Sequence, residues 1–215
     1  MEIVWFGQSC FRLRDREVSV VTDPFDASAG HSLPKLTADI VTVSCQHPHH
    51  NNTQSIQGDV RLIDSPGEYE IRGVFITGIA TYPPSRQADP TPQRNTVFVL
   101  EFGSLTLCHL GALTHNLPQE QMQALNTVDV LMVPVSGGER SLNATRAAEI
   151  VSVVEPKLVI PMGYQTGDQP MHLDGVERFL KEMGVGRVET LDVLKVSENS
   201  LPQETQVVVL RPQRG

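Results

Sequence analysis

The sequence predicts one α/β domain over residues 1–215, on three observations. Short β-rich runs fill the first half, amphipathic helical stretches alternate with buried apolar runs in the second, and no linker or internal repeat divides the chain. With 40% hydrophobic and 20% charged residues, a chain of 215 residues can bury a substantial core.

Ile3 to Phe6, Phe11 to Leu13, Val18 to Thr22 and Ile40 to Val43 are predicted strands, being short and rich in β-branched or aromatic residues. Val60 to Asp64, Glu68 to Ile71, Val74 to Ile79, Thr96 to Phe102 and Leu105 to His109 continue the series, with Gly103-Ser104 as a hairpin turn. Pro83, Pro84, Pro90 and Pro92 break the rhythm between Thr81 and Asn95, which reads as a solvated connection or, alternatively, an active-site lid. Pro118 suits a first helical position, with Met122 and Leu125 supplying an apolar face up to Asn126. Ala144 to Glu155 places Ala147, Ile150, Val151 and Val154 on one stripe before Pro156 stops it. Asp174 with Glu177 has capping-box spacing ahead of Val176, Phe179, Leu180 and Met183, and Gly184 follows the end. Val128 to Val135 and Leu158 to Met162 read as buried strands, and Gln206 to Leu210 as a final strand.

The net charge of −8 opposes sequence-independent nucleic-acid binding, which relies on clustered Lys and Arg. No apolar run approaches a membrane span, and the first residues read as a strand instead of a signal peptide, so the expected location is cytoplasmic. Cys10, Cys45 and Cys108 are odd in number and suggest no disulfide framework.

The chemistry concentrates in Ser44-Cys45-Gln46-His47-Pro48-His49-His50, directly after the strand Ile40 to Val43. If the strand's alternation persists, one thiol and the imidazoles of His47, His49 and His50 can point into one cavity, as metal ligands do. The alternative is a loop carrying histidines without an ion, with Cys45 as a small apolar residue. His109, on an apolar strand, reads as a satisfied buried histidine, and His115 as a helix-entry contact or a substitute ligand. His31 and His172 lie in polar loops with no motif around them. No Gly-x-Ser-x-Gly elbow is present, and Val135-Ser136-Gly137-Gly138 reads as a turn.

The spacing resembles the His-x-His-x-Asp-His signature of the metallo-β-lactamase fold superfamily, with Cys45 in the first His position and His49 in the Asp position. Met1-Glu2-Ile3-Val4-Trp5-Phe6-Gly7-Gln8-Ser9-Cys10-Phe11, Thr22-Asp23-Pro24-Phe25, Gly67-Glu68-Tyr69-Glu70, His109-Leu110-Gly111 and Ile160-Pro161-Met162-Gly163-Tyr164 are similar to landmarks of one branch. That branch comprises predicted metal-dependent hydrolases similar to ascorbate-6-phosphate lactonases. The resemblance implies a four-layer αβ/βα sandwich in which two mixed sheets pack under outer helices. It also implies two metal ions, with ligands expected at 45, 47 and near 83 for the first, at 49, 50 and 163 for the second, and a bridging Asp at 112. Here Pro83, Ala112 and Gly163 offer no donor side chain. Two close cations need a bridging anion to stay together, so a dinuclear centre is not expected.

The first expectation is therefore a protein of this fold with a lost dinuclear site, inactive in the usual hydrolysis and binding a small molecule. The alternative is a mononuclear zinc hydrolase built on Cys45, His47 and His50, with His49 as ligand or base; no other cofactor is expected. A third reading is a scaffold acting in a homo-oligomer. Asp23, Glu68, His109, His115 and Tyr164 are the residues expected to brace or line the pocket.

Overall fold

Ile3, Trp5, Phe11, Leu13, Val20 and Ile40 occupy alternate positions of short strands, and in the computed structural model all six turn into one core. Val4, Phe6, Cys10, Val21 and Val41, their neighbours in sequence, turn into a second. Register explains the match: Trp5 stands opposite Phe11, Leu13 opposite Val20, and Val20 beside Ile40. A slip of one residue would exchange the two faces everywhere. The structure describes residues 1–83, 93–125, 128–138, 141–167 and 173–214. His172, Asn126 and most of the proline-rich connection, including Pro84, Pro90 and Pro92, lie outside the described residues.

The first half contains β1 (Glu2–Gly7), β2 (Cys10–Asp15), β3 (Val18–Thr22), β4 (Leu36–Thr37), β5 (Ile40–Thr42), β6 (Ile56–Gln57) and β7 (Arg61–Ile63). It continues with β8 (Gly67–Ile71), β9 (Val74–Thr81), β10 (Asn95–Phe102) and β11 (Leu105–His109). The second half holds α1 (Gln119–Gln123), β12 (Val130–Pro134), α2 (Ala144–Val154), β13 (Leu158–Met162) and α3 (Val176–Glu182). Short strands β14 (Thr190–Leu191), β15 (Leu194–Lys195), β16 (Gln206–Val207) and β17 (Val209–Leu210) close the chain.

Among the described residues one sheet runs in the order β15-β1-β2-β3-β5-β7 and the other β16-β13-β12-β11-β10-β9-β8. Both are mixed: β3, β5 and β7 are parallel, as are β11, β12, β13 and β16, and the hairpins are antiparallel. This is the α/β architecture expected, two mixed sheets face to face with helices outside. The helices pack on the second sheet, α2 burying Ala147, Ile150, Val151 and Val154. Truncating a side chain such as Ile150 to Ala would cost about 2–5 kcal/mol. The outer face of the first sheet is covered by Phe25, Ala29, Leu36 and Ile56, from 3₁₀ turns and the β4–β6 ribbon.

Three local expectations are corrected. Pro118 is the cap of α1 and not its first helical residue, and the helix ends at Gln123. Asp174 forms no capping box: its amide donates to Ser136 O and its carbonyl accepts from Gln165 N, which ties it to the sheet edge, so Gly175 becomes the cap. The Asp174 carboxylate pairs with Arg178 instead. The closing strand divides at Val208, with β16 joining β13 and β17 pairing with β14. No helix among the described residues is long and apolar enough to cross a membrane.

Candidate functional site

Parallel strands deliver their carboxyl ends to one edge, where the loops that follow them can converge. Asp23 follows β3, Ser44 follows β5, Ala112 follows β11, Ser136 follows β12 and Gly163 follows β13. Hydrogen bonds between the sheets fasten this edge: Thr96 N donates to Ser44 O (2.8 Å), Gly163 N to Gln8 O (3.0 Å) and His109 Nε2 to Ser9 O (2.9 Å). Gly111, at φ +61°, is pressed so close to Ser44 that an added Cβ would lie 2.4 Å from the serine Cβ.

Asp23 is the centre of the edge. It is fully buried and accepts from Ser44 N (2.7 Å), Ser44 Oγ (2.6 Å) and His50 Nδ1 (2.8 Å). Burial pushes its carboxyl up, but the charge and hydrogen bond of His50, the nearby His109 and the Ser44 hydroxyl together hold it below its ordinary value. The carboxylate accepts only, so Nδ1 of His50 carries a proton; whenever the ring is neutral, Nε2 is the nitrogen with the lone pair. A carboxylate behind a histidine is also how metal-holding imidazoles are oriented.

The other donors go elsewhere. Val43 still donates to Ile63 O, but past Ser44 the chain leaves the extended form and coils, His50 N donating to His47 O (2.8 Å) and Asn51 N to the same carbonyl (3.1 Å). The strand alternation that would aim Cys45, His47 and His49 into one cavity therefore stops before it reaches them. His47 Nδ1 accepts from His49 N (3.2 Å), which leaves the proton of the neutral ring on Nε2, a donor that cannot ligate. His49 Nε2 lies 3.1 Å from Ser28 Oγ, beside Asp26. The His47 ring stands 4.7 Å from that of His49 and 6.3 Å from that of His50, and Cys45 is half-buried.

Among the described residues no three His, Cys, Asp or Glu side chains form a group that could hold a metal ion. As arranged, the donor set does not fit a resident ion, because His47 must first release the His49 amide.

The positions where the resemblance leads one to expect further ligands carry other contacts. Ala112 N donates to Asn95 Oδ1 (2.8 Å), while Asn95 Nδ2 donates to Leu110 O and Thr81 Oγ1, both at 3.1 Å. An asparagine thus binds the backbone where the bridging Asp would stand. Gly163 has φ +75°, a left-handed backbone that a histidine adopts only with strain. Pro83 follows the end of β9 and offers no donor.

Of the other expected residues, only His109 joins this edge. It is buried, donates to Ser9 O and meets Phe11 edge-on. Tyr164 is packed 4.9 Å from Trp5 with its hydroxyl on Leu210 O, and burial raises its phenol. His115 lies near α2, lowered first by burial and then by Arg146. Glu68 is exposed on edge strand β8, opposite Thr77. Ser44, Asn95 and the Gln8-Ser9 turn organise the edge, a role the sequence assigned to none of them. Two surface depressions lie apart from His50. One of about 170 Å³ is lined by Met1, Glu2, Arg14 and Arg16, and one of about 340 Å³ runs along α2 and α3.

Residues 2–163 match the β-lactamase superfamily domain family. A UPF0173 protein of Pyrococcus furiosus is 26% identical, over 89% of this chain and 94% of the relative. A UPF0173 metal-dependent hydrolase of Desulforamulus reducens is 25% identical, over 92% and 98%. A crystal structure from Thermotoga maritima, provisionally named a Zn-dependent hydrolase of the metallo-β-lactamase superfamily, is 36% identical. Its TM-score is 0.80, with 97% of each chain covered. Family model, relatives and solved structure agree on the fold: the chain belongs to the β-lactamase superfamily domain family, and its relatives include proteins named as metal-dependent hydrolases.

Proposed function

We propose that this chain, as one domain over residues 1–215, binds a small molecule at the Asp23–His50 edge and does not hydrolyse it through paired metals. The observation that carries this reading is the His47 ring, whose Nδ1 lone pair is taken by the His49 amide. Ala112 and Gly163 add the loss of the bridging carboxylate and of one imidazole. What remains is one buried carboxylate and one oriented imidazole, polar groups of the kind that orient a small-molecule ligand.

A second reading is favoured by the hydrogen bond from His50 to Asp23, since it leaves Nε2 in the tautomer a metal needs. In that reading one zinc ion is held by Cys45, His47 and His50, with His49 a ligand or base, and the protein is a mononuclear hydrolase. Metal content of untagged protein, measured after zinc addition and dialysis, separates the two. Zinc well below one equivalent supports the binding protein. Near-stoichiometric zinc that disappears in a Cys45→Ala, His47→Ala variant replaces it with the hydrolase, and two equivalents of metal would sink both.

A further inference from the structure

Three buried polar atoms beneath the edge have no hydrogen-bond partner among the described residues: Nδ1 of His109, Oγ1 of Thr42 and Oγ1 of Thr96. All three residues are 0% exposed. Strand register places them on facing surfaces. Thr42 lies opposite Ile63 and two residues beyond Ile40, on the side of its sheet that meets the other sheet. Thr96 lies two residues before Phe98, which stands directly opposite His109, so Thr96 is diagonal to His109 on one face. That face looks inward, because His109 reaches across to Ser9 O.

Hydrogen bonds, register and chain proximity link their neighbourhoods. Ser9 O accepts from both His109 Nε2 and Thr22 Oγ1, each at 2.9 Å. Thr22 is the register partner of Thr42. Ser44, two residues past Thr42, accepts through its carbonyl from Thr96 N at 2.8 Å. Register and chain proximity thus bring the three atoms together on the facing surfaces of the two sheets.

We infer that the space between these three atoms is an internal water site, in which a water donates to His109 Nδ1 and bridges the hydroxyls of Thr42 and Thr96. The chemistry selects the occupant. With Nε2–H given to Ser9 O, Nδ1 of the neutral ring can only accept, which disfavours an anion. The three atoms themselves bring no charge to hold a cation, and the Asp23 carboxylate, whose charge reaches His109, is already taken by Ser44 and His50. Water is the smallest species that can donate to the ring and also exchange hydrogen bonds with two hydroxyls. Burial lowers the His109 imidazole, in keeping with a neutral ring there. The water fixes the Nε2–H tautomer and, through Ser9, the turn whose Gln8 carbonyl receives Gly163 N. It braces the site edge from below.

High-resolution diffraction of the full chain, with Thr42→Val, Thr96→Val and the double variant, tests this. The expected map shows a fully occupied peak within hydrogen-bond distance of His109 Nδ1. Each valine is expected to raise the unfolding equilibrium constant at fixed urea by about fivefold or more. The double variant should cost less than the sum, because both hydroxyls share one partner. A map without that peak overturns the inference, as do valine variants at least as stable as the parent, the result expected when an unpaired buried hydroxyl is removed. Should the variants fail to fold, the parent map alone decides.

Discussion

Asp23→Ala is the substitution that most directly tests the organisation of the edge. The carboxylate receives three donors, two from Ser44 and one from His50, with no solvent contact of its own. Each donor left unpaired costs about 1–3 kcal/mol when buried, which places the gross loss at about 3–9 kcal/mol. The Ser44 hydroxyl can rotate to a new acceptor, and the His50 side chain, 14% exposed, can reach water. The expected loss is therefore about 3–5 kcal/mol, the range seen when one member of a buried pair is removed. Urea unfolding followed through Trp5, the only tryptophan and fully buried, reads it as a fall in midpoint with an unchanged slope. Combined with His50→Ala, the double-mutant cycle should give a coupling of about 1.5–3 kcal/mol, the strength of a charge-assisted hydrogen bond. A loss below about 1 kcal/mol, typical of an ordinary surface substitution, or a coupling near zero, would refute the central role given to Asp23.

His109, its pKa lowered mainly by burial, is held neutral in the fold, so the unfolded chain takes up its proton first. The stability it protects is full above the ordinary histidine value of 6.5 and falls as pH drops below it. His109→Gln should flatten that acid limb in urea midpoints measured from neutral pH downward, and an unchanged limb would contradict the neutral buried ring. Gly111→Ala combines a left-handed φ of +61° with a Cβ 2.4 Å from that of Ser44. Strain and overlap together should cost about 3 kcal/mol or more, read by the same unfolding assay. Adding donors where the resemblance leads one to expect them, with Ala112→Asp and Gly163→His, should not bring zinc uptake to two equivalents, because position 83 is a proline and the His47 ring still accepts from the His49 amide; mass-spectrometric metal counting checks this.

The strands were legible because their chemistry is local. Trp5, Leu13 and Val20 alternate with residues of the other face, and that period is written in the chain itself. Legibility fails just past the end of β5, where the chain beyond Ser44 coils under bonds that no periodicity announces, such as Asp26 N to Pro48 O. The candidate donors all sit past that point, so their types could be read and their directions could not. Thr22-Asp23-Pro24 was a better pointer than the histidines, for it named the acceptor, yet nothing in the sequence says which histidine, 24 to 27 residues on, Asp23 will hold. Asn95 shows the same limit from the other side. It follows a proline-rich stretch as an ordinary polar residue, and only the fold brings its amide onto Ala112. A lost ligand leaves a gap that can be counted in sequence. The hydrogen bonds of Asn95 and the left-handed turn at Gly163 are visible only in three dimensions. Building a two-metal site here would have to displace this backbone network as well as replace side chains, which is why two substitutions alone are expected to fall short.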